Sequence, residues 1–209
     1  MENERRDLLD ETLYGDHVVQ YSKEYSLCAG CETCTMMCAM THDGIVSPGC
    51  ARIQINLATR SLIHEVLTCQ HCKDHPCYDK CPRKGSAMMI DENGVVYIND
   101  ENCIGCGLCI KACKFDPPRI VMMRNKERKK WRAKKCDMCR NSSEGPQCIK
   151  WCPVVCLGLS SNSEFRDGEL YPKNYVPQAG PGGAPAAPDA DASENGASEN
   201  SEERSAENA

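Results

Sequence analysis

T-C-Q-H-C-K-D-H-P-C-Y-D-K-C-P (residues 68–82) and N-C-I-G-C-G-L-C-I-K-A-C (residues 102–113) hold two cysteine quartets in tandem. The first, Cys69, Cys72, Cys77 and Cys81, is spaced C-x2-C-x4-C-x3-C. The second, Cys103, Cys106, Cys109 and Cys113, is spaced C-x2-C-x2-C-x3-C. Three thiolates in one tight loop, with a fourth one helical turn later, suit a cubane 4Fe–4S cluster. A tetrahedral zinc site is normally built from two C-x2-C pairs set far apart, so three cysteines within seven residues fit it poorly.

Outward from this centre the unit recurs. Cys28, Cys31, Cys34 and Cys38 repeat the spacing of Cys103–Cys113 and make the first quartet in chain order, so that Cys69–Cys81 is the second and Cys103–Cys113 the third; Cys136, Cys139, Cys148 and Cys152 form the fourth, spaced x2, x8, x3. Four copies of one unit decide the architecture. Short ribbons are expected between them. Asn93-Gly94, between S-A-M-M-I and V-V-Y-I, is a strong hairpin turn signal. Ile53, Ile55 and Leu57 alternate with polar residues, and L-I-H-E-V-L (62–67) is the expected partner strand. Ile120–Met123 and Trp131–Ala133 form a further candidate pair, with Asn125–Lys130 at the tip. Residues 1–27 are polar, with a weak helical hint at Leu8, Leu9 and Leu13.

With 18 cysteines but only two Trp and two Phe in 209 residues, the chain needs staples or metals to hold a fold. Disulfides would suit a secreted protein, but no secretory signal is read here. Arg5-Arg6 invites a twin-arginine reading, yet Asp7, Asp10, Glu11 and Asp16 interrupt the apolar stretch that should follow. No apolar run approaches a membrane span. The expectation is a soluble, cytoplasmic protein. The net charge of −5 averages unlike parts: residues 179–209 carry seven acids and one arginine, a net of −6, which leaves +1 for residues 1–178. That tail, rich in Gly, Pro, Ala and acids, reads as disordered.

The chain resembles the four-cluster ferredoxin-type electron-transfer subunits of multisubunit oxidoreductases. The resemblance rests on the four quartets, the C-x2-C-x4-C-x3-C-P run, the elongated fourth quartet, and Pro82 and Pro153 after the last cysteine of the second and fourth. The first and third quartets depart, with Ala39 and Lys114 at that position. The family serves molybdopterin enzymes of the dimethyl-sulfoxide-reductase type, formate and hydrogenase complexes, and tungsten aldehyde oxidoreductases. The connector T-H-D-G-I-V-S-P-G-C-A-R-I is most similar to subunits that accompany tungsten aldehyde oxidoreductase or benzoyl-CoA-reductase-type enzymes. The resemblance implies an α+β fold of two pseudo-symmetric ferredoxin-like halves within residues 22–160, made of short β-ribbons and short helices. The central half covers about 66–118, and the outer half about 22–65 with 119–160. A polar lead-in (1–21), an extended segment (161–178) and the tail (179–209) complete the expected layout. The implied cofactors are four 4Fe–4S clusters held by crossed ligation. Their expected ligands are Cys28, Cys31, Cys34 with Cys152; Cys69, Cys72, Cys77 with Cys113; Cys103, Cys106, Cys109 with Cys81; and Cys136, Cys139, Cys148 with Cys38. The implied partners are a tungsten- or molybdenum-pterin catalytic subunit and a second electron donor or acceptor.

Cys50 and Cys156 are left over and read as small buried hydrophobes, although Cys156 could replace a neighbour in a damaged site. His71 and His75 either hydrogen-bond sulfur or simply fill their loop. The paired methionines at 36–37, 88–89 and 122–123 read as soft packing. Arg124–Lys135 carries eight bases and one acid, and reads as a docking surface rather than a nucleic-acid site, since Trp131 is its only aromatic. Nucleotide loops, nucleophile elbows and acid/base pairs are not found, so no independent active site is expected. Two rival functions are a free-standing polyferredoxin carrier and a zinc-stabilised binding module.

Overall fold

Each quartet delivers its third cysteine on a helix. The computed structural model describes residues 16–124 and 130–176, and within them α1 is Thr33–Asp43, α2 Pro76–Asp79, α3 Leu108–Lys111 and α4 Gln147–Lys150. These carry Cys34, Cys77, Cys109 and Cys148, and the fourth cysteine follows four residues later in every case. Where the helix has formally ended, backbone bonds continue the turn: Cys81 N–H to Tyr78 O (3.0 Å), Cys113 to Ile110 (3.1 Å) and Cys152 to Ile149 (3.2 Å). Residues four apart share a helix face, so the third and fourth sulfurs of a quartet leave the same side.

The entry loops repeat too. The residue before the second cysteine is left-handed in all four copies: Gly30 (φ 64°), His71 (45°), Gly105 (72°) and Met138 (57°). A second left-handed residue precedes each helix, namely Glu32, His75, Gly107 and Gly145. Such turns in successive backbone N–H groups build the anion-binding concavities of many Fe–S sites. Since His71 and Met138 adopt this conformation with a side chain, φ alone does not demand glycine. At Gly105 the reason is space: a Cβ there would stand 2.2 Å from the Trp131 carbonyl oxygen.

Five antiparallel two-stranded ribbons connect the helices. β2 (Gln54–Asn56) pairs with β3 (Glu65–Leu67), and β4 (Met88–Ile90) with β5 (Val96–Ile98). Between the latter, Asp91 accepts the N–H groups of Asn93 and Val95 and Gly94 takes φ 77°, so the Asn-Gly turn forms as its sequence dictates. β6 (Ile120–Arg124) pairs with β7 (Trp131–Lys135), one residue longer at β6 and two at β7 than the pattern predicts, and most of its expected tip lies outside the described residues.

Two ribbons were not foreseen. β1 (Val18–Gln20) pairs with β8 (Leu157–Leu159), so residues read as a polar lead-in supply two fully buried valines. β9 (Ser163–Arg166) folds back onto β10 (Glu169–Pro172), where a single extended segment was expected. The Leu8, Leu9, Leu13 helix and the acidic tail lie outside the described residues.

Cysteine enters the core directly. One core joins Val18, Ala51, Ile53, Val66 and Leu157 to Cys28, Cys34, Cys38, Cys148 and Cys156. A second joins Met88, Val96, Ile120 and Ala133 to Cys109, with Cys77, Cys81 and Cys103 packed against it. α1 accordingly packs on α4, and α2 on α3. We predict that Gly107→Ala, with nothing within 4 Å of its Cβ, costs about 1 kcal/mol of left-handed strain. Gly105→Ala must also displace the β7 backbone, adding about 1–3 kcal/mol. Anaerobic thermal scans of the iron-loaded variants check this, and equal losses of midpoint would contradict it.

Candidate metal centres

Two concave sites lie in the region of the second core. One is lined by Cys103, Cys106, Cys109 and Cys81. The other is lined by Cys69, Cys72, Cys77 and Cys113, together with His71, His75 and Lys135. In each, three cysteines come from one quartet and the fourth from the other. The remaining quartets also come together, α1 against α4. Burial, and then the charges of Cys28, Cys152 and Cys31, push the Cys34 thiol up to about 12. Burial raises the Cys148 thiol well above its usual value, followed by the charges of Cys136, Cys139 and Cys38.

All 18 cysteines are free thiols. Burial and the nearness of other thiols also raise Cys109 to about 12, and Cys72 and Cys77 to about 11. Groups gathered this closely cannot all be anionic unless a cationic body joins them, and iron binding supplies one while releasing the protons. Among the described residues no three His, Cys, Asp or Glu side chains converge on one point as a single metal ion requires. The thiols stand round the pocket walls, which suits a larger multi-iron body.

Polar groups point the same way. The Arg52 and Arg119 backbone N–H groups donate to Cys38 Sγ (3.3 Å) and Cys113 Sγ (3.4 Å), the fourth cysteines of the two quartets that lack a following proline. His71 is only 1 % exposed. Its Nδ1 accepts the Val96 N–H at 3.2 Å, which leaves the ring proton on Nε2, and Nε2 has no partner among the described residues. A buried donor without an acceptor is costly unless the pocket it lines is filled, and sulfur is the acceptor a cluster offers.

Several residues here escaped the sequence reading. His42, one helical turn beyond Cys38, donates from Nδ1 to Cys38 O (2.8 Å), and its Nε2 reaches Asp137 Oδ1 (2.8 Å) beside Cys136. Burial works against its charge, but hydrogen bonds to Asp137, Cys139 and Cys38 together outweigh it and raise the imidazole to about 12. Asp43 binds Arg52 (3.1 Å) and Lys134 (3.2 Å), and Lys134 also binds Asp100. The spacing of His42 from Cys38 was a usable signal, whereas Lys134 was hidden inside a run of surface-like charge. That run divides: Trp131 is exposed, but Arg132, Lys134 and Lys135 are buried and tied to internal partners. Cys156 is buried with its sulfur 3.6 Å from Cys152 Sγ, and Cys50 is partly exposed.

Residues 62–162 match the family model of the 4Fe–4S dicluster domain. The thiosulfate reductase electron transfer subunit PhsB of Salmonella typhi is 32% identical over 153 residues, covering 66% of this chain and 74% of that one. The chain belongs to this family of iron–sulfur electron-transfer proteins. It binds 4Fe–4S clusters. A polyferredoxin-like subunit of aliphatic sulfonate oxidoreductase from Pyrococcus furiosus is 35% identical over 126 residues, covering 60% of this chain and 66% of that subunit. The Escherichia coli K12 protein AegA is 33% identical over 136 residues, or 63% of this chain, but the chain spans only 20% of its length.

We expect Cys50→Ala and Cys156→Ala to keep the full iron content of the parent protein. Cys38→Ala and Cys113→Ala are expected to lose the iron of one cluster each. Iron and acid-labile sulfide assays on anaerobic protein check this. Iron loss in Cys156→Ala would make that thiol a ligand.

Proposed function

We propose that the chain carries four 4Fe–4S clusters in line and relays single electrons between a catalytic oxidoreductase subunit and a second redox partner. The observation that carries this is the pocket where Cys113 joins Cys69, Cys72 and Cys77, because crossed ligation is how two-cluster ferredoxin halves are built. The mirror pocket, where Cys81 joins Cys103, Cys106 and Cys109, supports the same reading. For the outer half, the neighbours of Cys34 and Cys148 support Cys28, Cys31, Cys34 with Cys152, and Cys136, Cys139, Cys148 with Cys38. On this reading residues 22–160 form two ferredoxin-like halves, with strands from 18–20 and 157–172 closing the outer one.

A bound 4Fe–4S cluster accepts and gives up one electron at a time. The chain sets the order of its sites. Cys109 lies within electrostatic reach of Cys77, Cys69 within reach of Cys136, and Cys148 within reach of Cys34. The resulting line runs from the Cys103 site through the Cys69 and Cys136 sites to the Cys28 site. The two exposed cysteines, Cys106 and Cys31, belong to its two ends. Exposed apolar residues flank them: Ile104 and Leu108 beside Cys106, and Leu57 over the Gly30 turn beside Cys31. Both ends therefore suit protein docking.

A tungsten- or molybdenum-pterin catalytic subunit is the proposed partner, on the strength of the sequence resemblance. PhsB, named as the electron transfer subunit of a thiosulfate reductase, supports a place in an oxidoreductase complex. In anaerobic preparations we expect sixteen irons and sixteen sulfides per chain, four of each for each of four clusters. Affinity purification from the native host is expected to bring down a pterin-containing subunit. A folded, colourless, zinc-loaded protein would overturn the reading.

A further inference from the structure

Lys135 is the least expected charge in the molecule. It is 2 % exposed and lies between the Cys69 and Cys136 sites. A lysine taken out of water at this depth costs several kcal/mol unless its ammonium is paired and hydrogen-bonded. Carbonyls supply part of the pairing: Nζ donates to Val96 O and, at 3.2 Å, to Cys136 O. No carboxylate contacts Nζ among the described residues, although the neighbouring Lys134 has two, Asp43 and Asp100. What it faces instead is sulfur: Lys135 lines the same pocket as Cys69, Cys72, Cys77 and Cys113, and Cys136 follows it in the chain. The buried His71 stands 3.5 Å away, its Nδ1 facing Lys135 Nζ and accepting the Val96 N–H.

We propose that Lys135 is a fixed counter-charge that raises the reduction potential of the cluster held by Cys69, Cys72, Cys77 and Cys113, and so makes that site the favoured resting place for an electron between the two halves. This rests on the function proposed above. Reducing a cluster adds one negative charge, and a buried cation beside its ligands favours the more negative state. Lys135 lines the Cys69 pocket itself but meets the Cys136 site only through the Cys136 carbonyl, so the shift there is smaller. β7 places the lysine: Lys135 ends the strand paired to Ile120 and immediately precedes Cys136, so one backbone serves both halves. His71 contributes a hydrogen bond toward the same pocket without adding a charge, since its Nδ1 is held by Val96.

The test compares the wild-type protein with Lys135→Gln, Lys135→Met and Lys135→Arg, using electron-paramagnetic-resonance redox titration and iron analysis on full-length, cluster-loaded chains. Gln keeps donors for the two carbonyls, Met keeps only the volume, and Arg keeps the charge. We expect all three to retain their iron. In Gln and Met one midpoint should fall clearly and a second slightly, while the other two stay in place and Arg remains near wild type. Unmoved midpoints in the neutral variants would overturn the proposal. So would the loss of one cluster's iron in both, which would make Lys135 a structural residue. A wild-type protein without 4Fe–4S signals is a separate result and would sink the functional reading itself.

Discussion

Buried thiols that meet across quartets are the interaction on which the rest of the structure depends. Among the described residues the longest helix has eleven residues and the ribbons no more than five residues a strand, lengths that do not stand alone in water. The two larger apolar cores are closed largely by cysteine, with Leu157 the one leucine among their buried residues. Sulfur buried in this way contributes little until something binds it. The iron–sulfur bodies are therefore part of the core as well as the cofactor, and metal-binding free energy becomes folding free energy.

Charge is handled with the same economy. The clusters are anionic, so a chain that gathers them needs cations inside, and cations inside need partners. The segment around β7 supplies them in sequence. Arg132 donates to the Asp100 carbonyl, Lys134 joins Asp43 to Asp100, and Lys135 faces the Cys69 pocket. On the far side His42 and Asp137 tie α1 to the loop of the fourth quartet. These links join segments distant in sequence near the expected cluster ligands, where a shift of an ångström would alter both geometry and potential.

Much of this was legible because cysteine spacing and turn chemistry are local signals. The Asn93-Gly94 hairpin, the 54–67 ribbon and the β6–β7 pair all stand where alternation and turn residues put them. What escaped was either non-local or disguised. β1 is three residues long, and only its partner 139 residues later makes it a strand. The β9–β10 hairpin had a usable signal, Asp167-Gly168 with φ values of 49° and 85°, but its polar surroundings read as a solvated segment. Lys134 and Lys135 were invisible for the opposite reason. In a run of eight bases nothing in the sequence marks those that the strand turns inward, because β7 buries four consecutive residues instead of alternating.

The central claim is that each cluster is closed by a cysteine from another quartet. An anomalous-difference map at the iron edge, from crystals grown anaerobically, tests it most directly. Four iron sites are predicted, with Cys113 Sγ bound at the site of Cys69, Cys72 and Cys77, and Cys152 Sγ at the site of Cys28, Cys31 and Cys34. Four sites each closed by the fourth cysteine of its own quartet would contradict the account.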